Sequence, residues 1–184
     1  MGGTLPRGFF EDLYGKSPDP FDFETSAYED AKYQNTVSTL PRAHYKQAVD
    51  IGCSIGVLTS RLAEKCGSLL GLDISQQALV RASVRCAHLP GVKFARMTVP
   101  DEFPDQTFDL IVVSEVAYYW STEDLARAKR PDRDPSNDRR PRPARSLASH
   151  RGLPRPDRRC RSRCLAEGFQ MAPCSRRPAR AVPD

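Results

Sequence analysis

The sequence predicts an α/β fold in which strands and helices alternate about a parallel sheet, and three observations predict it. Apolar runs recur at Lys46–Ile51, Ser68–Leu72, Val92–Met97 and Phe108–Ser114. Helix-like segments separate the first three of these runs. Two of the runs end in an acid, Asp50 and Asp73, and the first is followed by the glycine-bearing turn Gly52-Cys53-Ser54-Ile55-Gly56.

Each element has its own signals. Residues 9–16 and 27–39 read as helices, divided by the turn-rich Ser17-Pro18-Asp19-Pro20. Ser26 can cap the second helix, with Glu29 three positions later completing a capping box, and Pro41 stops it. Lys46–Ile51 is the first strand. A helix over Ile55–Cys66 follows and ends at Gly67. Ser68–Leu72 is the second strand. Ser75 caps the next helix, Ser75–His88, which Pro90-Gly91 closes. Val92–Met97 is the third strand, and Pro100, Pro104 and Asp105 mark the loop after it. Phe108–Ser114 is the fourth strand, buried on both faces because Leu110 to Val113 are all apolar. Ser121 caps a last helix, Thr122–Ala128.

A β–loop–α–β unit with a carboxylate at each strand tip binds an adenosine-type cofactor across the strand ends. The spacing narrows the choice. The dinucleotide fingerprint G-x-G-x-x-G fails, because Ser54 stands at the middle glycine and Val57 follows Gly56. An acid two residues before the first glycine suits a ligand with a cationic amine. Asp73, at the next tip, is placed to accept both ribose hydroxyls.

The segments DIGCSIG (Asp50–Gly56) and LDIS (Leu72–Ser75) resemble motif I and the acidic motif II of class I S-adenosylmethionine-dependent methyltransferases. Two flanking stretches, Ser17–Phe23 continuing through Ser26-Ala27-Tyr28-Glu29 to Lys32-Tyr33, and Phe108–Trp120, resemble the NodS-like nodulation methyltransferases. The resemblance covers about residues 9–128. It implies a Rossmann-like, doubly wound parallel sheet of seven strands in the order 3-2-1-4-5-7-6. About four of the seven are expected in this chain, with the fourth strand as an open edge.

The resemblance assigns S-adenosyl-L-methionine as cofactor, with contacts from Asp50, Ile51, Gly52, Cys53, Ser54, Gly56, Asp73, Ile74, Thr98 and Ser114. Asp50 organises the methionine moiety, or else braces the loop. Gly52 and Gly56 let backbone approach the ligand. The Ser54 hydroxyl either meets the ligand carboxylate or only tolerates the turn. Asp73 binds ribose, its plainer role being a helix cap that Ser75 can fill instead. Ile74 covers adenine. No acid stands at Met97-Thr98-Val99, so adenine contact there falls to backbone groups or Thr98. Ser114 and Glu115 end the fourth strand near the transferred methyl. Glu115, with Tyr118, forms the catalytic pair, holding or deprotonating an amine acceptor. A structural carboxylate is the competing reading of Glu115. No metal site is expected, since the cysteines and histidines match no ligand spacing.

The net charge of +5 averages two unlike segments. Residues 1–128 carry 12 Lys/Arg and 17 Asp/Glu (12 − 17 = −5), and residues 129–184 carry 16 and 6 (16 − 6 = +10). The resemblance implies that the first segment is a partial methyltransferase domain, with N-terminal helices over 9–40 and a cofactor-binding core over 46–128. The second is Arg/Pro-rich with one aromatic, Phe169, so it lacks the apolar surface to fold and is expected to be disordered. Its composition without period or motif fits a coding region read in a shifted frame.

The function expected is a NodS-like methyltransferase acting on an amine or other small acceptor, by resemblance the amino group of a chitooligosaccharide in nodulation-factor synthesis. The rival expectations are a truncated fragment with little activity and a nucleic-acid binder using the basic tail. The shortage of aromatics in the tail argues against base stacking. No membrane span or signal peptide is evident, and a cytoplasmic location is expected.

Overall fold

The computed structural model describes residues 3–129 and 147–148. Two helices come first, α1 (Arg7–Lys16) and α2 (Ala27–Ser38). The core then alternates: β1 (Tyr45–Ile51), α3 (Val57–Leu62), β2 (Cys66–Asp73), α4 (Gln76–Arg85), β3 (Val92–Arg96) and β4 (Leu110–Val113). Helix α5 (Thr122–Lys129) follows β4, and β5 is the two-residue piece Leu147–Ala148.

The strand order is β3-β2-β1-β4-β5, and all four pairings are parallel. This is the doubly wound order, with the chain reversing direction across the sheet at β1. The strand expected to be an open edge, β4, pairs with β5 at Ile111↔Leu147 and Val112↔Ala148. Those two residues belong to the segment expected to be disordered. The rest of that expectation, 130–146 and 149–184, lies outside the described residues.

The buried core joins the sheet's apolar surface to residues of the flanking helices, among them Leu58, Leu62 and Leu79. Val49, Leu69, Leu72, Leu110 and Val112 are buried to 1% exposure or less, and β1 is buried from Ala48 onward. Asp109 sets the register between β4 and β1. Its carboxylate accepts the backbone N–H of Lys46 (3.0 Å) and of Gln47 (2.9 Å), while its own N–H donates to the Gln47 carbonyl. Burial works to raise the Asp109 pKa. Those N–H bonds and the Arg42 guanidinium outweigh it, so the value lies below the ordinary 3.8.

The sign follows directly. A depressed carboxylate contributes stability that is present above its unfolded value and lost as pH falls through the folded one. Asp109→Ala should lower unfolding stability by about 2 kcal/mol near neutral pH. In acid the difference from wild type should shrink, as protonation removes the same interaction. Denaturant melts at pH 7 and below pH 4 check both statements. A deficit that persists undiminished in acid would contradict them.

Three local expectations are corrected. Gly67 does not end the helix after the first strand. Helix α3 stops at Leu62, a 3-10 turn covers Ala63–Lys65, and Gly67 sits inside β2, because pairing with β1 already begins at Tyr45↔Cys66. The capping box is half formed. Ser26 Oγ accepts the Glu29 N–H (3.4 Å), but the Ser26 N–H goes to the Asp22 carbonyl (2.9 Å) and Glu29 pairs with Lys32. The fourth strand is shorter than its apolar run, Leu110–Val113 rather than Phe108–Ser114, because the chain bends sharply at Glu115 (φ +59°). The caps at Ser75 and Ser121 form as expected, each accepting an N–H three residues on.

Candidate cofactor site

The carboxyl ends of β1, β2 and β4 open into one cleft. Asp50, Ile51, Gly52, Cys53, Ser54, Asp73, Ile74, Thr98, Ser114, Glu115 and Tyr118 all line it. Of the residues singled out from the sequence, Gly56 alone stands back from the lining and shapes the loop instead. It precedes α3 in the left-handed conformation (φ +80°), and α4 packs against it so closely that a Cβ would lie 3.0 Å from the Ala82 Cβ.

The loop between β1 and α3 is folded back onto the tip of β2. The N–H groups of Gly52 and Cys53 both donate to the Leu72 carbonyl (2.8 and 2.9 Å), and the Ser54 N–H donates to Asp73 Oδ2 (2.8 Å). Gly52 and Ser54 both have positive φ (+76° and +52°). The other oxygen of Asp73 accepts the Ser75 N–H (2.9 Å), so one carboxylate ties the loop to the start of α4. Burial raises the Asp73 pKa, and the N–H bonds from Ser75 and Ser54 oppose that rise.

Asp50 is 1% exposed. Its Oδ2 accepts the Thr59 hydroxyl (2.7 Å), while Oδ1 has no hydrogen-bond partner among the described residues. Burial raises its pKa to about 6; the Thr59 bond opposes this and the Asp73 charge adds to it. Ser114 Oγ is likewise buried, with no partner among the described residues. Orphaned buried acceptors are rare in folded proteins and call for an explanation. Both residues line the cleft.

Thr98 is placed at the cleft but already engaged. Its hydroxyl accepts from Arg7 (3.1 Å) and its N–H donates to Glu102 (2.7 Å). A turn folds Glu102 back onto the Thr98 N–H, and Glu102 does not line the cleft. Cys53 is a buried thiol whose pKa burial pushes well up, which makes it a packing group.

The roof of the cleft comes from the N-terminal helices. Tyr14 shares a hydrogen bond with Ser54, and Tyr14, Phe21, Phe23 and Tyr33 form a chain of ring contacts with centroids 5.1–6.3 Å apart. Phe10 meets Tyr119 edge-on (5.1 Å). Glu11 fastens α1 down: its carboxylate accepts the N–H of Gln76 (2.8 Å) and the Ser75 hydroxyl (3.0 Å) at the start of α4. Thr4 and Leu5 cross to the far side, where the Leu5 N–H donates to the Tyr119 carbonyl (3.0 Å).

Glu115, at the tip of β4, takes part in a cluster that the sequence did not disclose. Its Oε1 lies 3.6 Å from the Lys32 ammonium, and its Oε2 accepts the Tyr118 hydroxyl (3.1 Å). Lys32 is only 3% exposed and also pairs with Glu29. Among the described residues, no group of three or more potential ligands could hold a metal ion, and no helix is long and apolar enough to cross a membrane.

Comparison with known proteins gives this geometry its context. The family model of nodulation protein S (NodS) matches residues 11–130. Nodulation protein S of Bradyrhizobium diazoefficiens is 31% identical over 102 residues, covering 55% of this chain and 49% of the relative. Phosphoethanolamine N-methyltransferase 1 of Arabidopsis thaliana is 29% identical over 107 residues, covering 56% and 22%. Among solved structures, the N-methyltransferase NodS of Bradyrhizobium japonicum WM9, in complex with S-adenosyl-L-homocysteine, superposes with a TM-score of 0.62 at 25% identity, covering 66% of this chain and 63% of that one. The chain spans about half the length of the curated nodulation proteins it matches. A family match over residues 11–130, on a sheet of this order with its paired acids in one cleft, places the chain in the NodS family.

Proposed function

We propose that the chain binds S-adenosylmethionine at the tips of β1 and β2 and belongs to a methyltransferase acting on a small amine acceptor. One observation carries the reading: Asp50 and Asp73 line the same cleft, and one buried oxygen of Asp50 lacks a partner among the described residues. Asp73 would take the ribose hydroxyls, the Gly52–Ser54 loop and Asp50 the cationic amino-acid end, and Ile74 one face of the adenine. Thr98 and Ser114 line the walls beside them. The cofactor supplies an activated methyl group on a sulfonium. The residues of this chain then have to align an acceptor, strip its proton and exclude water.

Glu115 and Tyr118 are the groups we assign to the acceptor. Glu115 stands at a strand tip, where open α/β sheets place their chemistry, and it is held in a left-handed conformation that costs an ordinary residue about 1–2 kcal/mol. A carboxylate so placed can receive an ammonium and accept its proton. The amino group of a chitooligosaccharide is one acceptor of this chemistry, and it comes to this chain by likeness to its relatives.

Calorimetric titration with S-adenosylhomocysteine tests the reading, and saturable one-to-one binding is expected. The pH profile tests Asp50 in particular. A cationic ligand needs the ionised carboxylate, so affinity should be flat above pH 7 and fall about tenfold per unit below pH 6, where Asp50 takes up its proton. Absence of binding removes the cofactor assignment, and a pH-independent affinity removes the role of Asp50. Binding without turnover of any amine would assign to this chain the cofactor half of the reaction alone.

A further inference from the structure

We propose that Lys32 is the positioning residue of the acceptor subsite: its ammonium holds Glu115, which Tyr118 fastens from the other side, as a carboxylate facing the cleft for the ammonium head of an amine acceptor. The inference rests on the reading of the cleft given above. It begins from the cost of burying a lysine. An ammonium at 3% exposure needs a partner, and Glu29, three residues earlier on the same helix, is sufficient for neutrality. The structure brings a second carboxylate. Glu115 arrives from the tip of β4, and its Oε1 lies 3.6 Å from the same Nζ. Two carboxylates then share one ammonium, and the cluster keeps a net charge of −1 (two negative, one positive).

The surroundings favour a second cation rather than a second anion. The Lys32 ammonium lies 5.6 Å from the centroid of the Tyr28 ring and 5.5 Å from that of Tyr33, within reach of a cation–π contact. The residual negative charge reaches those rings. After burial, the charges of Glu115 and Glu29 are what hold the Tyr28 hydroxyl above its ordinary pKa, and both also act on Tyr33. Glu115 is a third exposed on its side chain, whereas Glu29 is 14% exposed, so the charge is presented at Glu115, which lines the cleft. Ser114, adjacent to Glu115, lines the same cleft, and its buried hydroxyl has no partner among the described residues.

Each oxygen of Glu115 therefore has its own tether, Lys32 from α2 and Tyr118 from the turn after β4. Either alone would let the carboxylate rotate, and together they fix its plane. A cationic acceptor meets a preoriented anion, a neutral one gains no ion pair there, and an anionic one meets an unfavourable field. Lys32 touches no acceptor in this scheme and acts only through Glu115.

Calorimetry on the full chain tests this, with glucosamine as the cationic probe and N-acetylglucosamine as its neutral counterpart, each titrated with and without saturating S-adenosylhomocysteine. The wild-type chain should bind glucosamine at least about tenfold tighter than the neutral sugar. Lys32→Met keeps the length and apolar stem of the side chain and removes the charge. It should weaken glucosamine binding about tenfold or more and leave affinity for S-adenosylhomocysteine within about threefold. If Lys32→Met loses its cooperative melt, Lys32→Gln takes its place with the same expectation. The proposal is overturned by a wild type without preference for the cation, by a folded Lys32 variant that binds glucosamine as tightly as wild type or tighter, or by loss of the cooperative melt in both variants. Failure to bind S-adenosylhomocysteine would overturn the cofactor reading instead, and the titrations without it still decide the role of Lys32.

Discussion

Asp73→Ala should reduce affinity for S-adenosylhomocysteine by a factor of about 100 to 1,000. Two charge-assisted hydrogen bonds to ribose hydroxyls at roughly 1.5–2 kcal/mol each account for that range. The damage should extend beyond the lost contact. In the folded chain the same carboxylate accepts the Ser54 N–H on one oxygen and the Ser75 N–H on the other. Alanine leaves both donors unanswered in a buried setting, so the loop between β1 and α3 loses its anchor to α4. Asp73→Asn separates the two effects, because its amide oxygen still accepts one N–H but carries no charge. The expected order of affinity is wild type, then asparagine, then alanine, with only alanine losing several degrees of melting temperature. Equal affinity across the three would show that ribose is held elsewhere and would remove Asp73 from the site.

Gly52→Ala is the second large effect, and its origin is steric. A Cβ at this position would lie 2.6 Å from the Val116 Cβ and 3.0 Å from both of its methyl carbons. The residue also sits at φ +76°, where a side chain costs about 1–2 kcal/mol before any contact is counted. Together we expect a loss of about 2–4 kcal/mol in stability. Val116 follows Glu115 directly, so the displacement passes to the tip of β4 and should weaken ligand binding as well. The partner substitution makes the argument specific. Val116→Gly in the Gly52→Ala background should recover the part due to collision and leave the part due to φ. A double variant as unstable as Gly52→Ala alone would refute the collision, and a single variant of wild-type stability would refute both terms.

Much of the site was legible because its signals are local. Asp50, Gly52 and Gly56 stand within one short turn after an apolar run, and Asp73 ends the next run. Parallel pairing of consecutive strands brings such tips together without further information. The caps at Ser75 and Ser121 are equally local, and both formed. The failures share the opposite property. Glu29 could not be assigned to Lys32 rather than to the backbone of Ser26 without knowing that Lys32 is buried. The burial of Lys32 in turn depends on how α2 lies against α3 and beside Glu115, contacts between distant parts of the chain. Glu102 escaped notice because it reaches Thr98 through a turn rather than through strand register. Gly67 reads as a helix stop by composition, and only the β1–β2 pairing shows that the chain is already extended there. Sequence pattern thus picked out most of the residues that line the cleft at the tips of β1 and β2, and missed the cluster around Glu115.

The aromatic roof has a kinetic meaning. Glu11 fixes α1 to the start of α4, and Tyr14 of the same helix meets Ser54 in the loop after β1. If release waits on α1, loosening either bond should speed the departure of a bound ligand more than it slows its arrival.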